Sequence, residues 1–250
     1  MVDIDKVISE IKISLDKQKS NFSEERKNWT YRIINPDISD YIILGLRVSE
    51  VEKIVRNIHG KLNPSFDDAK EIFKILAKSH VEEYKFAASF LLNRYKNLFV
   101  DSIPEFFKTN YFPYCHTWST CDSCCIRVLG PFLAKKGNDQ LAKTTIDNWA
   151  QNKSLWIKRA SMVLLLKIVM VHKKFNESYV FQKVENMLKF SNENYIEKGI
   201  GWLLKECSKY DPNSIFSYLM KNKKRFSRLI LRYASEKLPK EMRSKLLKIH

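Results

Sequence analysis

Apolar residues recur at helical spacing along almost the whole chain, and this periodicity constrains the fold more than any other feature. Three such helical stripes are Val7, Ile8, Ile11 and Leu15; Ile72, Phe73, Leu76 and Ala77; and Val180, Val184, Met187 and Leu188. No stretch alternates with period two for long. Only 6 of the 250 residues are Gly, although tight β-hairpin turns depend on this residue. The sequence therefore predicts an all-α fold.

Residues that interrupt helices divide this pattern into segments of about 10–18 residues with short connections. The interruptions are Asn35-Pro36, Asn63-Pro64, Ile103-Pro104, Gly137-Asn138 and Asp211-Pro212. Short connections make consecutive helices antiparallel, and antiparallel pairs are the units of HEAT and armadillo repeats. We therefore predict a HEAT-like, armadillo-type α-solenoid of antiparallel helix pairs that forms a single domain over residues 1–250.

The segment from Leu155 to Val171 differs from the others because apolar residues surround it almost completely. A helix without a polar face is buried on several sides. We expect this helix to lie between neighbouring helices at the centre of the fold.

The chain contains 44 Lys and Arg against 28 Asp and Glu, a surplus of 16 positive charges. Such a surplus indicates a polyanionic partner, in the first place nucleic acid and in the second an anionic membrane surface. A generally Lys-rich proteome would produce the same total. The surplus is concentrated, however, because residues 221–250 contain 11 basic and only two acidic side chains.

Within this basic segment, Phe226, Leu229, Ile230 and Tyr233 form one apolar stripe, and the neighbouring angles carry Lys and Arg. The pattern predicts a basic amphipathic helix. Its polar face is either a solvated cap of the solenoid or a surface that contacts phosphate groups.

The cysteines are Cys115, Cys121, Cys124, Cys125 and Cys207. An odd number without a secretory leader argues against a disulfide framework, so we expect a cytoplasmic protein. Cys121 and Cys124 form a CxxC, but a structural zinc site draws a second ligand pair from elsewhere, and none is evident. We interpret them as buried helix residues and predict neither a metal nor a cofactor. The longest apolar run, residues 162–171, contains Lys167 and is too short to cross a bilayer.

Trp118 and Asp122 are four residues apart and project from the same side of a predicted helix. The adjacent stripe, which we expect to enter the core, consists of Cys121, Cys125, Val128 and Phe132. An indole and a carboxylate would then share a patch that faces outward or into a groove. A structural alternative fits the same spacing, since Ser119 and Asp122 match a helix capping box, in which the carboxylate only satisfies backbone N–H groups.

Four blocks, in this order and at this spacing, resemble the AlkD-type DNA alkylation repair glycosylases. They are Ile43-Leu44-Gly45-Leu46-Arg47-Val48-Ser49-Glu50-Val51, Trp118-Ser119-Thr120-Cys121-Asp122, Trp156-Ile157-Lys158-Arg159-Ala160, and Tyr195-Ile196-Glu197-Lys198-Gly199-Ile200-Gly201-Trp202-Leu203-Leu204-Lys205-Glu206. The resemblance covers nearly the whole chain, and it implies a monomer that holds alkylated duplex DNA on a concave, basic face during base excision repair.

The resemblance further implies hydrolysis of the N-glycosidic bond of cationic alkylated purines such as 3-methyladenine and 7-methylguanine. Asp122 would match the carboxylate beside the scissile bond, and Trp118 and Trp202 the aromatic residues that line the lesion site. The residues implied in DNA binding are Arg159, Lys205, Lys158, Arg47 and Lys53.

The chain departs from the family pattern at several positions. Lys205 stands where Arg is frequent and cannot form its bidentate phosphate contact, and Ser49 and Glu52 replace a common Pro and Arg. These departures predict a weaker hold on DNA. The main alternative to the glycosylase is a non-catalytic HEAT-like protein for damaged or branched DNA, in which the basic face binds and the Trp–Asp patch is structural. A protein-interaction scaffold is a further alternative.

Overall fold

The structure, a computed structural model, describes residues 3–19 and 23–248. The first two residues of the charged N-terminal segment and the last two of the basic C-terminal segment lie outside this part. Within the described residues the regular structure is helical, apart from one isolated β-bridge between Ile42 and Val81. The all-α prediction is confirmed.

Contacts between helices divide the chain into two compact units, Met1–Val128 and Leu129–His250. Each unit has its own stack of helices. That the two units join into a single domain over residues 1–250 stays a prediction.

The helices of the N-terminal unit are α1 (Ile4–Lys17), α2 (Glu24–Ile34), α3 (Val48–Leu62), α4 (Phe66–Ala77), α5 (Glu82–Asn93), α6 (Ile103–Asn110) and α7 (Trp118–Cys124). Alternate helices pack on each other: α1 contacts α3, α3 contacts α5, α5 contacts α7, and α4 contacts α6. This stacking of every second helix is the arrangement of helix-pair repeats. Helix α5 is the centre of the unit, and its residues 82–92 are all buried.

The helices of the C-terminal unit are α8 (Gly130–Leu133), α9 (Asp139–Ala150), α10 (Leu155–His172), α11 (Glu177–Leu188), α12 (Asn194–Cys207), α13 (Pro212–Lys221), α14 (Arg228–Ala234) and α15 (Lys240–Leu247). A π-helical turn, Cys125–Leu129, leads into α8. Again every second helix stacks: α8, α10, α12 and α14 form one layer, and α9 contacts α11 as α13 contacts α15. Helix α10 lies between α9, α8 and α12, which confirms the prediction that it is enclosed by neighbouring helices; its position at the centre of the whole fold stays a prediction.

The five predicted interruptions all lie at helix boundaries. Asn35 and Asn63 end α2 and α3 in the left-handed conformation, with φ of 48° and 43°. Asp211 caps α13 and accepts a hydrogen bond from the Ser214 N–H. Gly137, with φ of 93°, precedes α9, and Ile103-Pro104 opens α6. Within the described residues no helix has the length and hydropathy needed to cross a membrane.

The predicted basic amphipathic helix is wrong in its continuity. Helix α13 ends at Lys221, a short 3₁₀ turn follows at Lys223–Arg225, and α14 begins only at Arg228. The break occurs because the Ser227 hydroxyl accepts a hydrogen bond from the Ile230 N–H and starts a new helix. The basic residues therefore lie on a helix–helix connection as well as on a helix.

Candidate functional site

Helix α7 carries two of the predicted site residues, and its first turn shows how they are placed. Thr117 is the N-cap, and its hydroxyl oxygen accepts a hydrogen bond from the Thr120 N–H at 3.1 Å. Ser119 lies inside the helix, and Asp122 is two positions too far along to cap it. The capping-box interpretation of Ser119 and Asp122 is therefore wrong, because the N-cap of α7 is Thr117.

Trp118 is the first residue of α7 and is partly buried. Its indole Nε1 donates a hydrogen bond to the carbonyl oxygen of Ile33, the second-last α2 residue before the Asn35 cap, at 3.0 Å. This bond holds the ring against the end of α2. Because indole has only one donor, a ligand would meet ring carbons rather than the N–H.

Asp122 follows Trp118 by one helical turn, and only 7% of its surface is exposed. This burial excludes an outward-facing carboxylate, and that Asp122 faces a groove stays a prediction. The adjacent stripe is buried as predicted, with exposures of 0%, 0%, 1% and 5% for Cys121, Cys125, Val128 and Phe132. A carboxylate in such surroundings acts electrostatically more strongly than one in water.

Glu82 anchors the start of α7 from the neighbouring helix α5. Its carboxylate accepts hydrogen bonds from the hydroxyls of Tyr41 at 2.6 Å and Thr117 at 3.0 Å. Burial raises the pKa of Glu82 to about 7, against the lowering effect of hydrogen bonds from Tyr41, Ser119 and Thr117. Glu82 was not among the residues predicted from the sequence. The available signal was a pair of glutamates, Glu82 and Glu83, at the start of an otherwise apolar helix.

Glu83 holds the Gly-containing block that precedes α3. Its carboxylate accepts three backbone hydrogen bonds, from Leu44 at 2.9 Å, Gly45 at 2.7 Å and Leu46 at 3.2 Å. Gly45 has φ of 88°, a conformation that other residues rarely adopt. Burial raises the pKa of Glu83, although these backbone bonds lower it. The loop is thus wrapped around a buried carboxylate.

Arg47 and Lys53, two predicted DNA contacts, are both exposed at α3. The Arg47 N–H donates to the Glu50 carboxylate at 2.6 Å, which caps the helix and leaves the guanidinium outside this interaction. Glu52, the departure from the family pattern, forms an ion pair with Arg127 at 3.2 Å. The acidic side chain at this position therefore has a local basic partner.

Trp202 lies on α12 and is partly buried. Its neighbour Gly201 marks a close approach of α12 and α14, since a Cβ added there would lie 2.4 Å from the Cβ of Tyr233. Tyr233 and the backbone of α14 are thereby fixed next to the Trp202 turn.

Lys205 is one turn beyond Trp202. Its ammonium group forms an ion pair with Glu236 at 2.8 Å and lies 5.8 Å from the centre of the Tyr233 ring. The side chain remains 21% exposed. A phosphate group would compete with Glu236 for this cation.

Lys158 and Arg159 of α10 are buried, with 9% and 4% of their surfaces exposed. The Lys158 ammonium group lies 3.9 Å from the centre of the Phe190 ring, and Arg159 donates a hydrogen bond to the Tyr195 carbonyl oxygen. In the structure both side chains connect α10 to the segments that follow it. Their contact with DNA stays a prediction.

The structure thus places Trp118 and Asp122 on one helix of the N-terminal unit, and Trp202 and Lys205 on one helix of the C-terminal unit. That the two tryptophans and the carboxylate form one cluster stays a prediction. All five cysteines are buried, and the described residues form no disulfide; burial raises the pKa of the Cys115, Cys124 and Cys125 thiols. Among the described residues, no group of three or more His, Cys, Asp or Glu could hold a metal ion.

Two imidazole–carboxylate pairs, also missed by the sequence analysis, lie beside the start of α7. His116 contacts Asp37 at 2.7 Å and His80 contacts Asp40 at 2.6 Å, both through Nδ1. The two imidazole rings are 5.7 Å apart. The hydrogen bond from His80 lowers the pKa of Asp40. These pairs connect the loop after α2 to the segments before α5 and α7.

Comparisons with known proteins agree with this architecture. A solved structure described as a "Predicted DNA alkylation repair enzyme from Enterococcus faecalis" has a similar fold, with a TM-score of 0.68 and 17% sequence identity over 87% of this chain and 97% of that chain. No curated protein matches the sequence. The fold and its neighbour define an all-helical protein of the α-solenoid class. A family model described as "DNA alkylation repair enzyme" matches residues 19–238, and the chain belongs to this family.

Proposed function

We propose that the protein is a DNA glycosylase that releases cationic alkylated purines, such as 3-methyladenine and 7-methylguanine, from duplex DNA. The observation that carries the proposal is Asp122, a 7% exposed carboxylate one turn after the fixed indole of Trp118, on a helix that Thr117 rather than Asp122 caps. Membership in the DNA alkylation repair family supports the same substrate class.

The chemistry requires little from the protein beyond electrostatics. Alkylation at N3 or N7 gives the purine a positive charge, so the base leaves as a neutral molecule with the electrons of the N-glycosidic bond. The sugar acquires oxocarbenium character as this bond breaks. Water then adds to C1′ and loses a proton to solvent, which leaves an abasic site. No general acid is needed to protonate the leaving group.

Asp122 is the residue that we assign to stabilise the developing positive charge, as carboxylates do in glycosidases. Trp118 and Trp202 would hold the cationic base or sugar against their indole faces, each contributing about 0.5–2 kcal/mol depending on desolvation. The hydrogen bond from Trp118 to Ile33 supports this role, because it fixes the ring in advance.

The phosphate contacts that we propose come from exposed or partly exposed cations. Arg47 and Lys53 on α3 are exposed, and Lys205 is available once a phosphate displaces Glu236. Lys158 and Arg159 already have contacts within the protein. We therefore propose that they mainly hold α10 in place beside the DNA rather than bind phosphate groups directly. A single solenoid domain, a monomeric state and a cytoplasmic location belong to the same proposal.

The test is release of free base from methylated duplex DNA by Asp122→Asn and by the wild-type protein. Removing one preorganised electrostatic group typically costs about 10²–10³ in rate, so we expect a loss of that size with DNA affinity nearly unchanged. Asp101→Asn, at an exposed position, is the matched control and should retain the wild-type rate.

Two outcomes would contradict the proposal. Release by Asp122→Asn at the wild-type rate would remove Asp122 from the mechanism. Tight binding of methylated DNA by the wild-type protein without any base release would instead favour the non-catalytic DNA-binding alternative.

A further inference from the structure

The positive charge of the chain belongs almost entirely to one of its two units. Residues 1–128 contain 19 basic and 18 acidic side chains, whereas residues 129–250 contain 25 basic and 10 acidic side chains. The net charges are therefore +1 and +15. Attraction of a polyanion must come mainly from the C-terminal unit, but Lys158 and Arg159 of that unit are buried. The exposed cations of the unit lie elsewhere.

Six exposed or partly exposed cations line a groove of about 590 Å³ between the end of α13, the turn Lys223–Arg225 and the start of α14. The six cationic lining residues are Lys221, Lys223, Lys224, Arg225, Arg228 and Lys248. No carboxylate lines this groove among the described residues. We call it the basic groove.

The protein neutralises little of the charge in the basic groove. Lys223 and Arg228 donate hydrogen bonds to the carbonyl oxygens of Lys248, at 2.9 Å, and Leu247, at 2.7 Å, and these contacts orient the two cations without removing their charge. Arg225 alone has an acidic partner among the described residues, Glu185.

Lys221 and Lys224 are exposed and form no hydrogen bond or ion pair with any residue that the structure describes. Two unpaired ammonium groups beside four other cations repel one another, and an anion that bridges several of them would relieve this repulsion. The groove thus suits a ligand with several negative charges.

We infer that the basic groove binds the phosphodiester backbone of duplex DNA outside the lesion site, as a sequence-independent contact. Duplex DNA carries one negative charge per about 1.7 Å of its axis, which suits six clustered cations better than a single small anion does. The one aromatic residue of the lining, Phe226, is 6% exposed and offers no platform for stacking a base. The contact is therefore to phosphate groups. It rests on the proposed function only in taking DNA as the partner.

The experiment measures the affinity of the full-length protein for an unmodified duplex as a function of salt concentration. The plot of log K against log salt has a negative slope, and each lost phosphate contact makes this slope shallower by about 0.9. The double variant Lys221→Gln/Lys224→Gln should have a slope that is shallower by about 1.8. Between 50 and 200 mM salt, its DNA affinity should therefore fall by a factor about 12-fold smaller than that of the wild type.

The matched control is Lys136→Gln/Lys153→Gln. Both lysines are exposed, lie in the same unit and form no hydrogen bond or ion pair with a described residue, so the change in net charge is identical. An equal loss of slope in both double variants would overturn the inference, because bulk charge rather than the groove would then bind DNA. An unchanged slope in the groove variant would also overturn it.

An anionic membrane is the competing partner, and vesicles of phosphatidylserine and phosphatidylcholine test it. If the groove variant loses vesicle binding but keeps its DNA slope, the groove binds lipid headgroups and the inference is wrong. Base release from methylated DNA, measured at low salt with saturating protein, is a separate readout. Its absence in the wild type would end the glycosylase proposal and leave the groove result standing.

Discussion

The two units of the chain differ in their net charge and in the charged residues that they bury. The buried charged residues are Glu82, Glu83, Lys85 and Asp122 in the N-terminal unit, and Lys158, Arg159, Lys183, Glu197 and Glu206 in the C-terminal unit. The first unit is nearly neutral and encloses mainly carboxylates. The second is strongly basic and encloses cations as well as exposing them.

This difference separates two physical requirements of DNA base excision. A carboxylate that stabilises a developing cation acts best where burial removes water and where few cations compete for it. Attraction of DNA needs exposed cations and acts over about a Debye length, roughly 10 Å at 0.1 M salt. On our proposals the N-terminal unit supplies the first and the C-terminal unit the second. Substitutions at Glu82 and Glu236 test this division, and a substitution at Gly201 tests the packing that supports the C-terminal unit.

The largest expected effect concerns the pH dependence of the N-terminal unit. Burial raises the pKa of Glu82 from 4.5 to about 7, so the folded state binds the proton more tightly than the unfolded state does. Protonated Glu82 therefore stabilises the folded state; this stabilisation is complete below pH 4.5 and is lost as the pH rises through 7. In the wild type the free energy of unfolding should fall by about 3 kcal/mol over this window. Glu82→Gln cannot ionise and should abolish this decrease.

Urea unfolding at several pH values, followed by a probe in the N-terminal unit, measures this effect. Glu71→Gln, at an exposed position on α4, should retain the wild-type pH dependence. If Glu82→Gln loses stability between pH 4.5 and 7 as steeply as the wild type, buried carboxylates are not what distinguishes this unit.

The same residues show how far sequence reasoning reaches. Helical periodicity correctly predicted the buried stripes of α1 and α4, the burial of α10 between neighbouring helices, and all five interruptions, because these depend on neighbours a few residues apart. Glu82 was missed because its partners Tyr41 and Thr117 are 41 and 35 positions away, and no local pattern encodes such a pairing.

The candidate site was predictable in part for the same reason. The family resemblance and a four-residue spacing were enough to single out Trp118 and Asp122. The spacing of Ser119 and Asp122 suggested a capping box, yet Thr117, two residues earlier, has both the extended backbone and the hydroxyl that a cap requires. Burial of Lys158 and Arg159 also depends on tertiary contacts, with Phe190 and Tyr195, that periodicity does not report.

An intermediate effect is expected in the C-terminal unit at Gly201. Ala at this position would place its Cβ 2.4 Å from the Cβ of Tyr233, and relief of this overlap requires α12 and α14 to separate. We expect Gly201→Ala to lower the free energy of unfolding by about 1–2 kcal/mol, since the cost of overpacking exceeds the gain in helix propensity.

Gly199→Ala is the matched control on the same helix. Its nearest neighbour would be the Met162 sulfur at 3.7 Å, an ordinary contact, so this variant should gain about 0.5–1 kcal/mol. Equal effects of the two substitutions in thermal or urea unfolding would show that the α12–α14 contact does not fix the Trp202 turn.

The smallest expected effect tests whether the few acidic residues of the C-terminal unit restrain its grip on DNA. Glu236 pairs with Lys205 at 2.8 Å, and both side chains are partly exposed, so Glu236→Gln should leave thermal stability nearly unchanged. The released Lys205 can then contact a phosphate group, and the slope of log K against log salt should steepen by at most about 0.9. Glu241→Gln makes the same change in net charge at an exposed residue without an ion pair among the described residues. If it steepens the slope equally, Lys205 is not a phosphate contact, and the attraction of DNA reflects the charge of the unit as a whole.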